Sequence, residues 1–473
     1  MTINCNDTSV ILYIRHICIE VFQKEFNDSE DEISVHVTTN DSDVLVTTTL
    51  KSITSTIREE NAHHPSPSVA KTCAIGKTVI KIAEKLGFKK SPYGVLTGVR
   101  PVKIALLYAE KSDFASIFKE RYLVDESKAK LLEHCTRYHV TAKEITDKND
   151  VSLYVSIPFC PSRCNYCSFV SYGIERLHHL IPEYINTLCQ EIQEVSNLVQ
   201  EFSLRVKSIY VGGGTPGVLS CEQISKLLEK INFSFDTSSL FEFTYEIGRP
   251  ETVTQEKLQT LKNLGVTRVS INTQTTNDEV LSLIGRRHTS DEYFNAVDMA
   301  QKIGFHSINT DLIAGLSSDS LSSFKKSVID VINTGVDNIS IHTLCLKKSA
   351  DIKTADFDRN EHFDIDDFLN FSHSTCISEG FLPYYLYRQK YALGNHESTG
   401  WCKDDKFSYY NISMMNEIGN VIGVGAGATS RISLMDKNAH FANFKYPYDY
   451  ISDKTKFAKE ISMMNNVFKT MKE

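Results

Sequence analysis

Three cysteines are the residues whose type and spacing most directly indicate chemistry. Cys160, Cys164 and Cys167 follow a short apolar strand in the pattern C-x3-C-x2-C. Thiolates at this spacing can converge on one metal centre, and three of them leave one iron of a 4Fe-4S cluster without a protein ligand. A structural zinc site needs four protein ligands, and no C-x2-C or H-x3-H pair follows downstream. Three buried cysteines without a metal are the remaining alternative, but burial would not require this spacing.

The cysteine loop follows the first of six apolar segments that alternate with helical segments. This alternation predicts an α/β fold with a parallel barrel or a partial (β/α)6 barrel. The predicted strands are Leu153–Ile157, Val206–Val211, Phe241–Ile247, Arg268–Thr273, Ser307–Ile313 and Asn338–Thr343. The predicted helices lie near 177–202, 220–231, 254–264, 290–303, 320–334 and 362–379. Because reacting groups of such barrels lie on loops at the C-terminal ends of the strands, polar residues there should share one site with the cysteines.

The second predicted strand ends in a run of three glycines followed by threonine and proline. Glycines have no Cβ, so Gly213 and Gly214, next to Thr215, allow a ligand to approach the backbone closely. A plain turn is the alternative, but three consecutive glycines cost chain entropy without adding packing. We therefore predict that this segment binds a ligand.

Carboxylate and amide side chains mark the ends of the later strands. Glu246 ends the third strand and Gln274 follows the fourth. Asp311 lies among apolar neighbours in the fifth strand, where an ionised carboxylate needs a partner. That partner could be Arg286 or a hydroxyl group of a ligand, and a purely structural Asp–Arg pair is the alternative to a binding role.

The residues before the barrel predict a small α+β domain. A helix is expected over residues 10–26, a hairpin over Ile33–Thr39 and Val44–Leu50, and amphipathic helices over 68–87 and Asp125–His139. We divide the chain into an accessory domain at 1–148, a barrel core at 149–346 and a C-terminal α+β extension at 347–473.

A glycine- and proline-rich loop containing Arg100 precedes a short apolar helix at Val102–Tyr108. Such a turn could hold an anion through backbone N–H groups, although a tight connection is its more common role.

Composition excludes several classes of protein. The net charge of −8 gives no long-range attraction to nucleic acid or to an anionic membrane, and no apolar run is long enough to span a bilayer. The N-terminus lacks a signal-peptide pattern, and twelve cysteines without paired spacing outside the loop suit a reducing compartment. We therefore expect a cytoplasmic protein.

The segment Tyr154-x-x-Ile-Pro-Phe-Cys160, with Tyr166 just before the last cysteine, resembles the cluster loop of the radical S-adenosylmethionine (SAM) enzymes. Within them it resembles the oxygen-independent coproporphyrinogen III oxidase group, and weaker similarity beyond Leu346 points to its coproporphyrinogen dehydrogenase, or HemZ-like, branch. Ser156 stands where that group has a histidine. No further cysteine follows directly after Cys167, unlike in the well-studied oxidases.

The resemblance implies cofactors and roles for the strand-end residues. It implies a 4Fe-4S cluster on the three cysteines and SAM bound by polar residues of the strand ends and of the segment before the helix at 290–303, which are Gly213, Gly214, Thr215, Glu246, Gln274, Arg286 and Asp311. In the family, a tyrosine at the position of Tyr154 lies against SAM or the substrate, so Tyr154 is the candidate catalytic residue. Asn272 and Gly248 depart from the family pattern.

The resemblance also implies a function and partners. The expected reaction is the oxidative decarboxylation of coproporphyrinogen III to protoporphyrinogen IX, with a tetrapyrrole substrate and an electron donor such as flavodoxin or ferredoxin. A haem chaperone and a radical SAM methyltransferase acting on haem are the alternatives, although the His-Asn-x-x-Tyr-Trp motif of the related chaperones is absent. Four propionates would suit aromatic faces and arginine. The candidate substrate contacts are Tyr384, Tyr385, Tyr387 and Arg388, and an aromatic strand that packs a small domain is the alternative.

Overall fold

The computed structural model describes residues 1–22, 26–27, 29–98, 100–346, 364–389, 391–433, 438–453 and 455–472. By internal contacts these form two compact units. The first contains Met1–Arg137 and Leu386–Glu397, and the second contains Tyr138–Tyr385 and Ser398–Glu473. The division of the chain at residues 148 and 346 stays a prediction.

The first unit is built on a four-stranded sheet of order β1-β2-β3-β4. Its elements are β1 (Thr2–Cys5), α1 (Ile11–Phe22), β2 (Glu32–Thr39), β3 (Asp43–Leu50), β4 (Ile53–Glu60), α2 (Pro67–Lys85), α3 (Val102–Ala105), α4 (Phe114–Tyr122) and α5 (Glu126–Glu144), the last of which continues into the second unit. Side chains of β3 alternate between buried and less buried positions, and helix α2 packs on β3 and β4. The sheet therefore buries one face against helices.

The predicted hairpin and helices of this unit are confirmed. Strands β2 and β3 pair antiparallel, from Ile33 opposite Leu50 to Thr39 opposite Val44. The predicted helix at 10–26 is observed as α1, and residues 23–25 lie outside the described residues. Strands β1 and β4 and helix α4 were not predicted, because short polar segments such as Thr54–Thr56 lack a clear apolar alternation.

The second unit contains an eleven-stranded sheet whose centre is the predicted set of six parallel strands. These strands are β5 (Asp150–Ile157), β8 (Arg205–Gly213), β9 (Glu242–Gly248), β10 (Arg268–Ile271), β11 (Ser307–Ala314) and β12 (Asn338–Thr343), with the pair β6 (Phe159–Cys160) and β7 (Tyr172–Gly173) after the first. The helices between them are α6 (Ile174–Leu177), α7 (Ile181–Glu201), α8 (Cys221–Ser234), α9 (Gln255–Asn263), α10 (Asp278–Leu283), α11 (Ser290–Ile303) and α12 (Leu321–Asn333). Each parallel strand follows its predecessor in the sheet, which confirms the partial barrel.

The parallel strands form because their side chains are apolar on both faces. Seven of the eight residues of β5 are buried, and β10 is buried throughout. Such strands are stable only when helices cover one face and a core fills the other, as in α/β proteins. Capping residues at Ser220 and Thr289 begin α8 and α11 with reciprocal side-chain hydrogen bonds.

The C-terminal residues extend this sheet at both edges. The remaining elements are α13 (Ile365–Ser378), β13 (Phe381–Arg388), β14 (Glu397–Lys403), α14 (Tyr409–Asn416), β15 (Asn420–Val424), β16 (Thr429–Ser433), β17 (Asn438–Ala442), α15 (Pro447–Ser452) and α16 (Thr455–Lys472). Strand β14 pairs antiparallel with β12, and β15 pairs parallel with β5. Residues 362–363 of the predicted helix 362–379 lie outside the described residues. Among the helices in the described ranges, none is long and apolar enough to cross a bilayer.

A buried ion pair stabilises the first unit. The Lys128 ammonium lies 2.8 Å from a carboxylate oxygen of Glu397, and the two side chains are 3% and 0% exposed. We expect Lys128→Met to lower the free energy of unfolding by about 3–5 kcal/mol, because it leaves a buried carboxylate without its ammonium partner. Chemical denaturation of the variant measures this.

The matched control is Lys302→Met, which removes an exposed ammonium that pairs with Asp298 four residues away. Such surface pairs contribute below about 1 kcal/mol. The Lys128→Met, Glu397→Leu double variant should recover stability relative to the single variant. Equal losses for Lys128→Met and Lys302→Met would contradict the assignment.

Candidate functional site

The cysteine loop begins where β5 ends and is held against the end of β8. Strand β6 pairs with β7 through Phe159 opposite Tyr172 and Cys160 opposite Gly173. The Thr215 N–H donates to the Phe159 carbonyl at 2.7 Å, and the Thr215 hydroxyl donates to Cys160 Sγ at 3.4 Å. The loop that follows the first strand is therefore fixed by the glycine-rich turn that ends the second.

The middle cysteine has a cationic partner from the third strand end. Arg249 donates from Nη2 to Cys164 Sγ at 3.0 Å and to the Ser162 carbonyl at 2.8 Å. The guanidinium is buried and also pairs with Glu251. These hydrogen bonds fix Cys164 and the backbone of Ser162 against the residue that follows the third strand.

Close backbone approach explains the glycine at position 214. A Cβ at Gly214 would lie 2.6 Å from the Phe159 carbonyl oxygen and 3.0 Å from Cys160 Sγ. Any side chain there would displace the loop. The neighbouring Gly213 has a φ of 116°, a conformation that L side chains rarely adopt.

The three thiols fit a cluster better than a single ion. In the described ranges, only Glu59, His64 and Cys73 bring three potential ligand atoms within 4.8 Å of one another, so at least one pair of the three loop thiols is further apart than that. A single tetrahedral ion would draw its ligands together, whereas a 4Fe-4S cube binds each thiolate on a separate iron. The donor set and its spacing therefore fit a 4Fe-4S cluster.

Two of the loop thiols have raised pKa values, although Arg249 beside Cys160 and Arg163 beside Cys167 act against the increase. Burial raises the pKa of Cys160 and of Cys167, and each is raised further by a neighbouring loop thiol, Cys167 for the former and Cys164 for the latter. Each of these thiols is therefore close enough to another loop thiol for the charge of one to affect the pKa of the other. Metal binding would have to release their protons.

Glu246 lies beside the same turn, on the end of β9. Its carboxylate accepts a hydrogen bond from the Tyr210 hydroxyl at 3.2 Å and one from the Asn272 amide at 3.1 Å. Burial raises its pKa to about 8, and the nearby Asp311 contributes to the increase. Glu246 is therefore a candidate acceptor for a cationic ligand group, whose charge would favour ionisation.

Asp311 has a different partner from the one considered in the sequence. His342 Nε2, on the end of β12, lies 3.5 Å from the Asp311 carboxylate, and the Asn309 amide donates to it at 2.8 Å. Burial alone would raise the pKa of Asp311, but these partners lower it below its ordinary value. The structural Asp311–Arg286 pair is absent from the described contacts, since Arg286 binds elsewhere.

Arg286 and Gln274 each present a buried polar atom without a hydrogen-bond partner. Arg286 donates to the Tyr166 hydroxyl at 3.0 Å and to the Asn272 carbonyl, while its Nε has no partner. Gln274 is held at a φ of 73° by backbone hydrogen bonds to β11, and its Oε1 has no partner. Buried polar atoms in native proteins are normally satisfied, so these two indicate a ligand that completes them.

Tyr154 forms part of a stack of three tyrosine rings. Its ring centroid lies 6.3 Å from that of Tyr210 and 6.1 Å from that of Tyr410, and the latter two rings lie 4.6 Å apart with an interplanar angle of 23°. The hydroxyl of Tyr210 bonds to Glu246. The stack therefore connects the candidate catalytic tyrosine with the strand-end carboxylate.

The sequence analysis missed four residues of this site. They are Arg249, Tyr210, His342 and Tyr410. Arg249 and His342 follow or end predicted strands, so the strand-end rule could have found them. Tyr210 is a strand residue, and Tyr410 lies on α14 far along the chain, so only the tertiary structure brings them to Tyr154.

The aromatic segment proposed for substrate contact is mostly buried. Tyr384 and Tyr385 are buried core residues of the second unit. Arg388 belongs to the first unit, where it is buried, pairs with Glu20 at 2.8 Å and donates to the Leu96 carbonyl at 2.6 Å. These three residues therefore fit the alternative given in the sequence analysis, which is an aromatic strand that packs inside the protein. Tyr387 is half-buried.

Arg100, in the glycine- and proline-rich loop of the first unit, is also half-buried. Its role in anion binding stays a prediction.

The fold and the cysteine site match a known class of protein. A family model described as the radical SAM superfamily matches residues 154–331. A solved coproporphyrinogen III oxidase, HemN from Escherichia coli, superposes with a TM-score of 0.53 at 23% identity, covering 67% of this chain and 73% of that chain. The protein is thus a radical SAM protein, and its cofactors are a 4Fe-4S cluster and SAM.

Sequence relatives narrow the class to a family. The chain is 33% identical over 376 residues to the oxygen-independent coproporphyrinogen-III oxidase-like protein HemZ of Bacillus subtilis (strain 168), covering 76% of this chain and 74% of that protein. It is 36% identical over 197 residues to the heme chaperone HemW of the same organism, covering 41% and 51%. The chain belongs to the oxygen-independent coproporphyrinogen III oxidase-like family of radical SAM proteins, which includes proteins named HemZ and HemW.

The contact at Gly214 leads to a prediction about cluster assembly. Gly214→Ala should displace the loop and lower the iron content after anaerobic reconstitution several-fold. The control is Gly173→Ala, because a Cβ at Gly173 meets nothing within 4 Å and its φ of −64° suits alanine. Iron analysis and the visible absorption of the cluster measure the difference, and equal iron content in the two variants would refute the steric argument.

The raised pKa of Glu246 leads to a prediction about pH. In the unfolded chain the carboxyl titrates near 4.5, and in the folded protein at about 8. The folded state therefore retains the proton longer, so this contribution to stability is complete below pH 4.5 and is lost as the pH rises to about 8.

The stability difference between the cofactor-free wild type and Glu246→Gln should change with pH in that window, by up to about 1.4 kcal/mol per pH unit. Denaturation at pH 5, 6.5 and 8 measures the difference. A difference that is constant across the window would contradict the assignment of the titration to Glu246.

Proposed function

We propose that this protein is an oxygen-independent coproporphyrinogen III oxidase that converts coproporphyrinogen III to protoporphyrinogen IX. Each of two propionate arms would lose one hydrogen atom from its β carbon, one electron to an acceptor and one CO2, which leaves a vinyl group. The proposal is supported by the family to which the chain belongs and by the stacked tyrosines beside the cysteine site.

Within this proposal, Cys160, Cys164 and Cys167 hold the cluster. Bound together, the cluster and SAM supply the one-electron chemistry that removes a hydrogen atom from a substrate carbon. Arg249 hydrogen-bonds Cys164, and Thr215 hydrogen-bonds Cys160. The protein's own contribution is thus to hold the loop that carries the thiols in place before iron is bound.

The strand-end residues would bind SAM. Gly213 and Gly214 expose backbone groups, and Glu246 would accept hydrogen bonds from the SAM amino group, whose positive charge offsets the cost of ionising this buried carboxyl. Gln274, Arg286 and Asp311 would contact the remaining polar parts of SAM. The unpartnered Gln274 Oε1 and Arg286 Nε support this role.

The tyrosine stack would bind the substrate through Tyr154 and Tyr210, which are half-buried, while the buried Tyr410 supports their rings. Pyrrole rings are aromatic, and tyrosine faces offer them offset stacking while each hydroxyl remains available for hydrogen bonding. Tyr154 lies on the strand that leads into the cysteine loop, so a pyrrole held on this stack would lie near the radical chemistry. Closing the site around it would exclude water and position the reacting C–H bond.

A haem chaperone is the second candidate function, because a relative named for that role matches 41% of the chain. The proteins differ at the chaperone's haem motif, which this sequence lacks. Trp401 lies fully buried on β14, and His396 is also buried, so neither side chain is available to a haem surface in the described conformation. These observations favour the oxidase.

Product analysis tests the proposal. The reconstituted protein is reduced anaerobically, freed of excess reductant and incubated, in several-fold molar excess over coproporphyrinogen III so that each decarboxylation can use a separate reduced cluster, with SAM and an electron acceptor. We expect protoporphyrinogen IX and 5′-deoxyadenosine, and neither product with Cys164→Ala. Unchanged substrate together with tight haem binding would support the chaperone instead, and a methylated linear tetrapyrrole from haem would support the methyltransferase.

The same assay tests the ring stack with matched variants. Tyr410→Leu removes one ring of the stack and should raise the KM for coproporphyrinogen III. Tyr409→Leu is the control, since Tyr409 is equally buried on α14 but contacts Phe241 instead. An equal KM for the two variants would contradict the proposal that the tyrosine stack binds the substrate.

A further inference from the structure

We propose that Arg249, Glu251 and His288 form a charged relay that sets the reduction potential of the iron-sulfur cluster. In this relay Arg249 raises the potential, and Glu251 is a positioning residue that holds Arg249 in place and offsets part of its charge. The inference rests on the proposed assignment of the cluster to the three loop cysteines, and not on the oxidase reaction. It adds two residues, Glu251 and His288, to which the proposed function assigns no role.

Arg249 joins the cysteine loop to the segment that follows β9. Its Nη2 donates to Cys164 Sγ at 3.0 Å and to the Ser162 carbonyl at 2.8 Å. Its Nη1 donates to the Ser162 hydroxyl and to the Glu251 carboxylate, each at 3.3 Å. The side chain of Arg249 is only 3% exposed, so water screens its charge weakly. Four acceptors therefore fix a buried cation in contact with a sulfur atom.

Glu251 is held between Arg249 and a histidine from the segment that joins α10 to α11. One carboxylate oxygen accepts the hydrogen bond from Arg249, and the other lies 3.3 Å from His288 Nδ1. The side chain of His288 is 0% exposed, and its Nε2 lies 3.4 Å from the Thr273 hydroxyl. Because each carboxylate oxygen has a partner, Glu251 cannot turn away from Arg249 without breaking its contact with His288. The relay thus runs from His288 through Glu251 and Arg249 to the sulfur of Cys164.

The two acid–base groups of the relay differ in charge. Burial opposes ionisation of Glu251, but the hydrogen bond to His288 and the charge of Arg249 lower the pKa of this carboxyl to about 2. Burial lowers the pKa of His288 below its ordinary value of 6.5, so this imidazole is neutral at pH 8. At that pH the relay contains one positive charge beside the sulfur and one negative charge on the other guanidinium nitrogen.

These two charges act on the reduction potential in opposite directions. Reduction adds one electron to the cluster, and both a cation and an N–H donor at a ligating sulfur stabilise the added negative charge. Arg249 supplies both, so it raises the potential. Glu251 supplies a negative charge only, so it lowers the potential while it keeps Arg249 in place. The fold can therefore adjust how readily the cluster accepts an electron without changing a ligand.

Potentiometric titration of the reconstituted protein tests the proposal. It is carried out anaerobically at pH 8 without SAM, with dithionite as the reductant, and paramagnetic resonance and visible absorption measure the reduced fraction of the cluster. Arg249→Met should lower the equilibrium constant for one-electron reduction about tenfold, which is a fall of about 59 mV. Glu251→Gln keeps the shape of the side chain and an oxygen that can accept from Arg249, and it should raise the constant several-fold. The variant with both substitutions should lie between the two single variants.

Matched controls remove the same kinds of side chain at the opposite end of the parallel strands. Arg268→Met removes an arginine that is as buried as Arg249 but begins β10. Glu242→Gln removes a buried glutamate that begins β9, which is about 20 Å from the end of that strand. Both controls should have the wild-type potential.

The signs of the shifts separate electrostatic tuning from a purely structural role. Shifts of Arg249→Met and Glu251→Gln in the same direction, or equal shifts in the controls, would overturn the proposal. If Arg249→Met binds no iron, Glu251→Gln decides the question, because it leaves Arg249 in the protein. An unchanged potential in Glu251→Gln would then show that the relay does not tune the cluster.

Further measurements separate this proposal from the proposed function. Equal iron content in the wild type and Cys164→Ala would refute the cluster assignment on which the relay rests. If the potentials shift as expected but coproporphyrinogen III remains unchanged, the oxidase function fails and the relay stands.

Discussion

The site depends on one constraint, which is that three thiols must be held together on a loop whose only regular support is the two-residue pairing of β6 with β7. Parallel strands meet this constraint because their C-terminal ends lie at one edge of the sheet. The turn after β8 supplies the Thr215 hydroxyl to Cys160 and the Thr215 N–H to the Phe159 carbonyl, and the residue after β9 supplies the guanidinium of Arg249 to Cys164. The loop is thus fixed by its neighbours in the sheet rather than by its own conformation.

The same edge of the sheet concentrates buried charge. Glu246 and Asp311 lie close enough to influence one another, and their environments separate their pKa values, because Asp311 has His342 as a partner while Glu246 has only neutral donors. Buried groups with perturbed pKa values mark functional sites more often than chance. In this protein they lie on adjacent sides of a site that also contains two unpartnered polar atoms, Gln274 Oε1 and Arg286 Nε. We expect this combination to suit a ligand that carries charge together with hydrogen-bonding groups.

The contrast between Arg249 and Arg388 shows how tertiary structure decides the role of an arginine. Both are buried and both pair with glutamate. Arg249 also contacts a thiol of the candidate cluster site, whereas the other donors of Arg388 bind backbone carbonyls within the first unit. An arginine beside aromatic residues in the sequence therefore does not indicate a substrate site, because a buried guanidinium needs several acceptors and a folded chain can supply them internally.

The sequence by itself determined the parallel sheet, the position of the cysteine loop after the first strand and the position of the glycine turn after the second. These features follow from local patterns, in which neighbouring residues along the chain carry the information. It also determined which strand ends carry polar residues. Only the tertiary structure decided that Asp311 pairs with His342, that Arg249 contacts Cys164 and that Tyr154, Tyr210 and Tyr410 stack. Those contacts join residues up to 256 positions apart, from Tyr154 to Tyr410. Their partners are selected by the register of the sheet and by packing, which no pattern along the chain specifies.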